Sequence, residues 1–401
     1  MWRLIAIVSL SLPFIDAAGC RVSINNGLGN PQALILDPKK TEGAEAFFLP
    51  TDGDVIEFKE NQSVLFACPG GKLIVGETNM NVKEAEGKCK SNKFEVLSNT
   101  VRMNEINCTR MPAHKARYTG NSCLGKFKEI EAGFQLEERF VRVIKICFDY
   151  VSQNAIYSEF NLTRTIDGYQ VAFPRPDFTE DGFYDVGATN VNNLYTRNTQ
   201  RKTINALLGL PPDSNKYVAA SGNFYLARGH LTAKADFLYG SQQRVTFKYV
   251  NVMPQWQTLN GNNWNALEAD VRTFAADKGL DLIVYTGGHG VSTLPDAETG
   301  EQTELYLYVD GKRNGIAVPR FFWKVIYEKS TKAGLAFVAV NNPYDLDLEA
   351  NTLCESVCDQ ADWLTWKNDN VEKGYGYCCD VNELRKIIRT IPDFPVTSLL
   401  V

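Results

Sequence analysis

The sequence predicts an α+β fold: an antiparallel central sheet flanked by helices, with a small β-rich domain before it. Three observations carry this. Six of the ten cysteines (Cys20, Cys68, Cys89, Cys108, Cys123, Cys147) precede residue 148 and the other four (Cys354, Cys358, Cys378, Cys379) follow residue 353, so cross-linked ends frame an uncross-linked centre. Strand-like runs from about residue 140 onward ("FVRVIKICFDYV", "GYQVAF", "KYVAASGNFYLARGH", "QRVTFKYVNVMP", "LDLIVYTGG", "TELYLYV", "LAFVAV") do not alternate with helices as βαβ units would require. One segment, 262–276, places Trp264, Leu267, Val271 and Phe274 on a single apolar stripe of a helix.

Taken in order, residues 1–19 read as a secretory signal peptide: Arg3, an apolar run from Leu4 to Ile15, then Ala17, Ala18 and Gly19. Residues 20–140, with short runs such as "DVIEF" and "KFEVL", are expected to form a disulfide-containing β domain. Residues 141–401 form the main domain. An even cysteine count beyond a signal peptide predicts disulfides, paired within each cluster, with the adjacent Cys378 and Cys379 bonded to separate partners. Glycosylation sequons stand at Asn61, Asn107 and Asn161. A secreted, extracellular protein follows, with no membrane association once the signal is cleaved and no obligate protein partner evident. The net charge of −5 gives no whole-molecule attraction for polyanions, so any such ligand needs a local groove.

Chemistry concentrates between residues 228 and 272. The chain has three histidines, and His230 ends the strand-like run "FYLARGH" two residues after Arg228. Asn251 follows at the end of the next strand, Gln255 in a loop, and Asn260 just before the amphipathic helix, where it is a natural cap. Glu268 and Arg272 lie one turn apart beside the apolar stripe, able to face a cleft. Each residue alone fits an ordinary surface role; the joint spacing is what asks for an explanation.

Arg-Gly-His-Leu, then Asn-x3-Gln-x4-Asn, then Trp-x2-Leu-Glu-x3-Arg, with 30 residues from His230 to Asn260, resembles the DNA/RNA non-specific endonuclease family and its ββα-metal motif. The likeness covers roughly residues 150–400, and the leader and cysteine layout look like the family's secreted arthropod members. The resemblance implies a Mg²⁺- or Mn²⁺-dependent hydrolase of DNA and RNA, double strands included, that leaves 5′-phosphate ends. It makes His230 the general base, Asn260 the metal ligand, and Glu268 the holder of metal-bound waters. Arg228 and Arg272 then contact phosphate, Asn251 and Gln255 are neutral supports near the phosphate or metal, and a further upstream phosphate-binding arginine is expected at Arg197 or Arg201. A His with a pKa near working pH suits water activation, and Mg²⁺ tolerates one protein ligand because it keeps its waters.

One departure is Ala227, where the family often has Asp before Arg-Gly-His. It motivates an alternative, a non-catalytic secreted nucleic-acid-binding protein on a nuclease scaffold. His289, in "YTGGHG", reads as a solvated residue of a Gly-rich turn, and His114 as a surface residue.

Overall fold

The computed structural model describes residues 19–40, 43–367 and 370–401. The expected signal peptide, apart from Gly19, lies outside them. A nine-stranded sheet dominates. Its order is Lys115–Cys123, Phe127–Gln135, Phe140–Asp149, Asn154–Leu162, Leu282–Val291, Pro319–Glu328, Ala333–Val340, Gly376–Cys379, all antiparallel, with Ser398–Leu399 added in parallel beside Ala333–Val340. The α+β expectation is met.

The two central strands explain the layering. Ala333–Val340 is buried along its whole length, and alternate residues of Pro319–Glu328 enter different cores. Phe322 and Ile326 face the long helix Asn263–Asp277, whose Trp264 ring lies 5.5 Å from Phe322. Phe321, Trp323 and Val325 face the C-terminal helix Val381–Ile387 through Val381 and Leu384. The predicted stripe of Trp264, Leu267, Val271 and Phe274 is the buried one.

The N-terminal residues make a two-stranded, a three-stranded and a five-stranded antiparallel sheet. Cys20–Cys89 and Cys68–Cys108 cross-link them, and Cys123–Cys147 joins the first and third strands of the large sheet. Cys354–Cys379 and Cys358–Cys378 staple the 354–358 segment to the edge strand, as the clustering predicted. The division expected at residue 140 falls inside the large sheet, whose first two strands precede it. The core is also continuous across it: Phe47 packs against Phe134 and Tyr239, and the Tyr239 hydroxyl donates to the Phe48 carbonyl at 2.6 Å.

Three runs read as strands are mostly not: of "KYVAASGNFYLARGH" only Leu226–His230 is a strand. "QRVTFKYVNVMP" becomes a helix (Gly240–Val245), a 3-10 turn (Tyr249–Asn251) and only then a strand. "GYQVAF" is largely irregular.

Candidate active site

The ribbon at the centre of the site pairs Leu226–His230 with Val252–Trp256, antiparallel, with His230 opposite Val252 and Arg228 opposite Pro254. Buried carboxamides satisfy its outer edges. Gln200 accepts from Leu226 N and donates to Leu226 O, while Asn341 accepts from Trp256 N and donates to Pro254 O. The ribbon lies on the sheet at Gly288, where an added Cβ would stand 2.7 Å from the Met253 sulfur. That close approach accounts for one glycine of "TGGHG".

Side chains alternate across a strand and directly paired residues share a face. Arg228 and His230 therefore share one face. The His230 ring packs against Phe178 (5.3 Å between centroids) and Phe247 (5.1 Å). Its Nε2 is buried without a protein partner. Burial first, then the positive charge of Arg175, pulls its pKa down to about 4. At neutral pH the imidazole is thus uncharged, the form a general base needs. Arg228 sits among Phe178, Tyr195 and Tyr249. Its Nε donates to the Tyr249 hydroxyl and its Nη2 to Asn192 Oδ1, which fixes the guanidinium beside the imidazole.

Gln255 is opposite Ala227, on the other face. It is fully buried against Gly229, where a Cβ would come within 2.5 Å of it, and neither amide atom has a protein partner. Gln255 is a strand residue, not a loop residue, and does not stand beside His230. Asn251 likewise spends its carboxamide internally. It accepts from Thr232 N and donates to the carbonyls of Thr232 and Thr246, clamping the turn after His230.

Asn260 ends a short helix, Gln257–Asn260, instead of capping the long one, whose N-cap is Asn262. Its Nδ2 donates to Gln257 Oε1 at 3.0 Å, which orients the amide and leaves Oδ1 with no protein donor among the described residues. The short helix that carries Asn260 follows directly on Trp256, which stands opposite Leu226 in the ribbon. No group of three or more His, Cys, Asp or Glu side chains among the described residues forms a metal cage. A single free carboxamide oxygen suits a hard cation that keeps most of its waters.

Glu268 and Arg272 belong to a buried charge cluster. Arg272 donates to Asp236 at 2.8 Å, and Lys324, on the helix-facing side of its strand, donates to Thr286 Oγ1 at 2.7 Å. Burial raises Glu268 to about 7. The Lys324 charge opposes this most strongly, Asp236 adds to it, and Arg272 opposes it in turn. Arg272 therefore has a carboxylate partner already, contrary to the free phosphate contact expected of it.

Arg197 is placed elsewhere. It stacks 4.0 Å over Tyr225 and donates to the carbonyls of Ala219 and Gly222, while Arg201 bonds Asn198 and Asn215. The arginine whose charge reaches His230 is Arg175, set between two prolines in "FPRPDF". Sequence reasoning passed over it, as it did Asp236 and Lys324. The lysine inside the apolar run "RFFWKVIYE" was a readable signal. His289 lies within a strand, half-buried and stacked on Phe321, with its pKa lowered by burial and then by Arg320. His114 is half-buried too; burial, then Lys248 and Arg244, take it to about 3.

A family model described as DNA/RNA non-specific endonuclease matches residues 127–384. A salivary endonuclease of Lutzomyia longipalpis is 28% identical over 380 residues, spanning 93% of this chain and 84% of its own. Salivary protein Tsal1 of Glossina morsitans morsitans is 26% identical over 392 residues, 96% and 94% of the two chains. Mitochondrial endonuclease G of Homo sapiens is 34% identical over 123 residues, 29% of this chain and 39% of that one.

Proposed function

Because this chain belongs to the DNA/RNA non-specific endonuclease family, and is thereby a hydrolase of nucleic acids, we propose that it is a secreted, Mg²⁺- or Mn²⁺-dependent enzyme cutting DNA and RNA alike, duplexes included. The observation that carries this reading is a neutral imidazole with a free, buried Nε2, on the same strand face as Arg228 and within reach of the Arg175 charge. Phosphodiesters repel an attacking hydroxide, so a nuclease has to deprotonate water and offset phosphate charge at one place. His230 takes a proton from water as its oxygen attacks phosphorus, the P–O3′ bond breaks, and the departing 3′ oxygen takes up a proton from solvent, leaving a 5′-phosphate and a 3′-hydroxyl. Arg228 and Arg175 donate to the non-bridging oxygens. Arg228 Nη1 has no protein partner among the described residues and is free for this.

Asn260 Oδ1 would hold the cation directly and Glu268 would hold it through water; when bound, it supplies positive charge for the departing 3′ oxygen. Arg272 and Lys324 keep a carboxylate tolerable in that buried place. None of these groups reads a 2′-hydroxyl or a base edge, which supports cleavage without regard to sugar or sequence. Secretion is supported by five disulfides that leave no free cysteine, chemistry of an oxidising compartment. No helix among the described residues is long and apolar enough to cross a membrane.

The reading is tested by incubating plasmid and double-stranded RNA with the wild-type chain and His230→Ala in Mg²⁺ and in EDTA. Wild type should degrade both substrates only with the cation, and the variant should degrade neither. Cleavage by His230→Ala at the wild-type rate rejects the assignment. Bound but intact substrate with the wild-type chain would favour the binding-protein alternative, which has Ala227 in its favour.

A further inference from the structure

The cover over His230 is not built by the ribbon. Phe178 and Arg175 come from the segment 171–184, which is nearly devoid of regular structure. Two anchors hold it. At one end the Phe173 ring lies over Gly240, whose added Cβ would come within 2.2 Å of it, and Lys234 Nζ donates to the Phe173 carbonyl at 2.6 Å. At the other end Thr179 makes a parallel bridge beside Lys248: Thr179 N donates to Phe247 O and Tyr249 N to Thr179 O.

Lys248 is the centre of the second anchor. Its side chain is 1% exposed, an unusual place for an ammonium. An ammonium has three donors, and here they meet three acceptors: Asp181 at 2.8 Å, Thr179 Oγ1 at 2.8 Å and the backbone carbonyl of His114 at 3.1 Å. Asp181 and Thr179 flank the cover segment just after Phe178. His114 belongs to the N-terminal half, and its neighbour Ala113 donates its backbone N–H to the Pro69 carbonyl. One buried charge thus joins the N-terminal half, the cover segment and the approach to the ribbon.

We propose that Lys248 is a positioning residue for the cleavage reaction, its ammonium holding Phe178 over His230, and that the N-terminal half completes the catalytic pocket through the His114 carbonyl. The inference rests on His230 acting as the base. It gives the N-terminal half a task in the chemistry beyond its share of the core. A displacement of about 1 Å in a reacting group can cost roughly a hundredfold in rate, so the loss should appear in kcat.

The experiment compares the wild-type chain, His230→Ala, Lys248→Met, the double variant Lys248→Met/Asp181→Leu, and Thr179→Val as the mildest lesion. Cleavage kinetics are read at a temperature where each variant is folded by circular dichroism. Removing both partners of a buried pair for apolar groups is often neutral for stability, whereas removing one is costly. Lys248→Met should therefore lower the thermal midpoint and reduce kcat at least about tenfold with KM little changed. The double variant should regain the midpoint but not kcat, and Thr179→Val should lower kcat less than Lys248→Met. Recovery of kcat together with the midpoint, or unchanged kcat in folded Lys248→Met, overturns the proposal. If wild type and His230→Ala behave alike, the fault lies with the assignment of the base and not with Lys248.

Discussion

His230 and Glu268 are both half-buried titratable groups of the proposed site, but their surroundings treat them differently. The histidine is walled by aromatic rings, and the charge acting on it is positive, so desolvation and charge push together toward the neutral form. The glutamate sits among charges of both signs, where Lys324 and Arg272 oppose what burial and Asp236 favour. The first pocket commits its group to one state, as a proton acceptor requires. The second holds its group near balance, where a nearby cation can decide its charge. Sign of charge, not depth, separates the two.

The largest effect should come from the committed pocket. His230→Ala should lower kcat by roughly 10²–10⁴-fold, the usual worth of a positioned base, in initial rates on supercoiled plasmid. Next comes the balanced cluster. Asp236→Ala leaves Arg272 buried without its carboxylate, and about 3 kcal/mol of stability should be lost in urea titration. The same change should draw the Glu268 pKa down, since one of the charges raising it is gone.

The comparison sharpens with pH. His230, lowered from 6.5 to about 4, stabilises the fold fully above 6.5, and that contribution fades as pH falls toward 4. The acidic limb of kcat/KM should accordingly fall near pH 4 instead of near 6.5, and Arg175→Ala should move it upward. Glu268, raised from 4.5 to about 7, has the opposite sign: its contribution is present below 4.5 and is lost as pH rises through 7. Added Mg²⁺ should therefore raise the thermal midpoint more at pH 8 than at pH 6. A limb near 6.5, or equal shifts at both pH values, would show that the two pockets do not differ as described.

The smallest effects distinguish two arginines. Arg175→Ala should reduce the slope of log affinity against log salt by about one phosphate's worth. Arg197→Ala should leave that slope unchanged and cost only about 1 kcal/mol of stability through its lost stacking on Tyr225.

Much of this was legible in the sequence. The stripe of the long helix, three of the nine strands of the large sheet (Phe140–Asp149, Leu282–Val291 and Ala333–Val340) and the within-cluster cysteine pairing follow from periodicity and count. What misled was orientation. Asn251 and Gln255 have the right spacing for a site, but spacing along the chain does not say which face of a strand a carboxamide takes or whether a backbone claims it first. The apolar, β-branched run 243–254 promised a strand, yet most of it turns so that Phe247 and Tyr249 can pack around Phe178. Arg175 was hidden by its setting, since an arginine between prolines carries no periodic signal. Its meaning depends on a fold that returns the segment to His230.

The carboxamides of Gln200 and Asn341 carry one more consequence. A lone pair of strands ordinarily exposes backbone groups on both flanks, ready to template pairing with another molecule. Here part of each flank, at Leu226 on one strand and at Pro254 and Trp256 on the other, is occupied from within the same chain, which leaves those positions closed to an incoming strand.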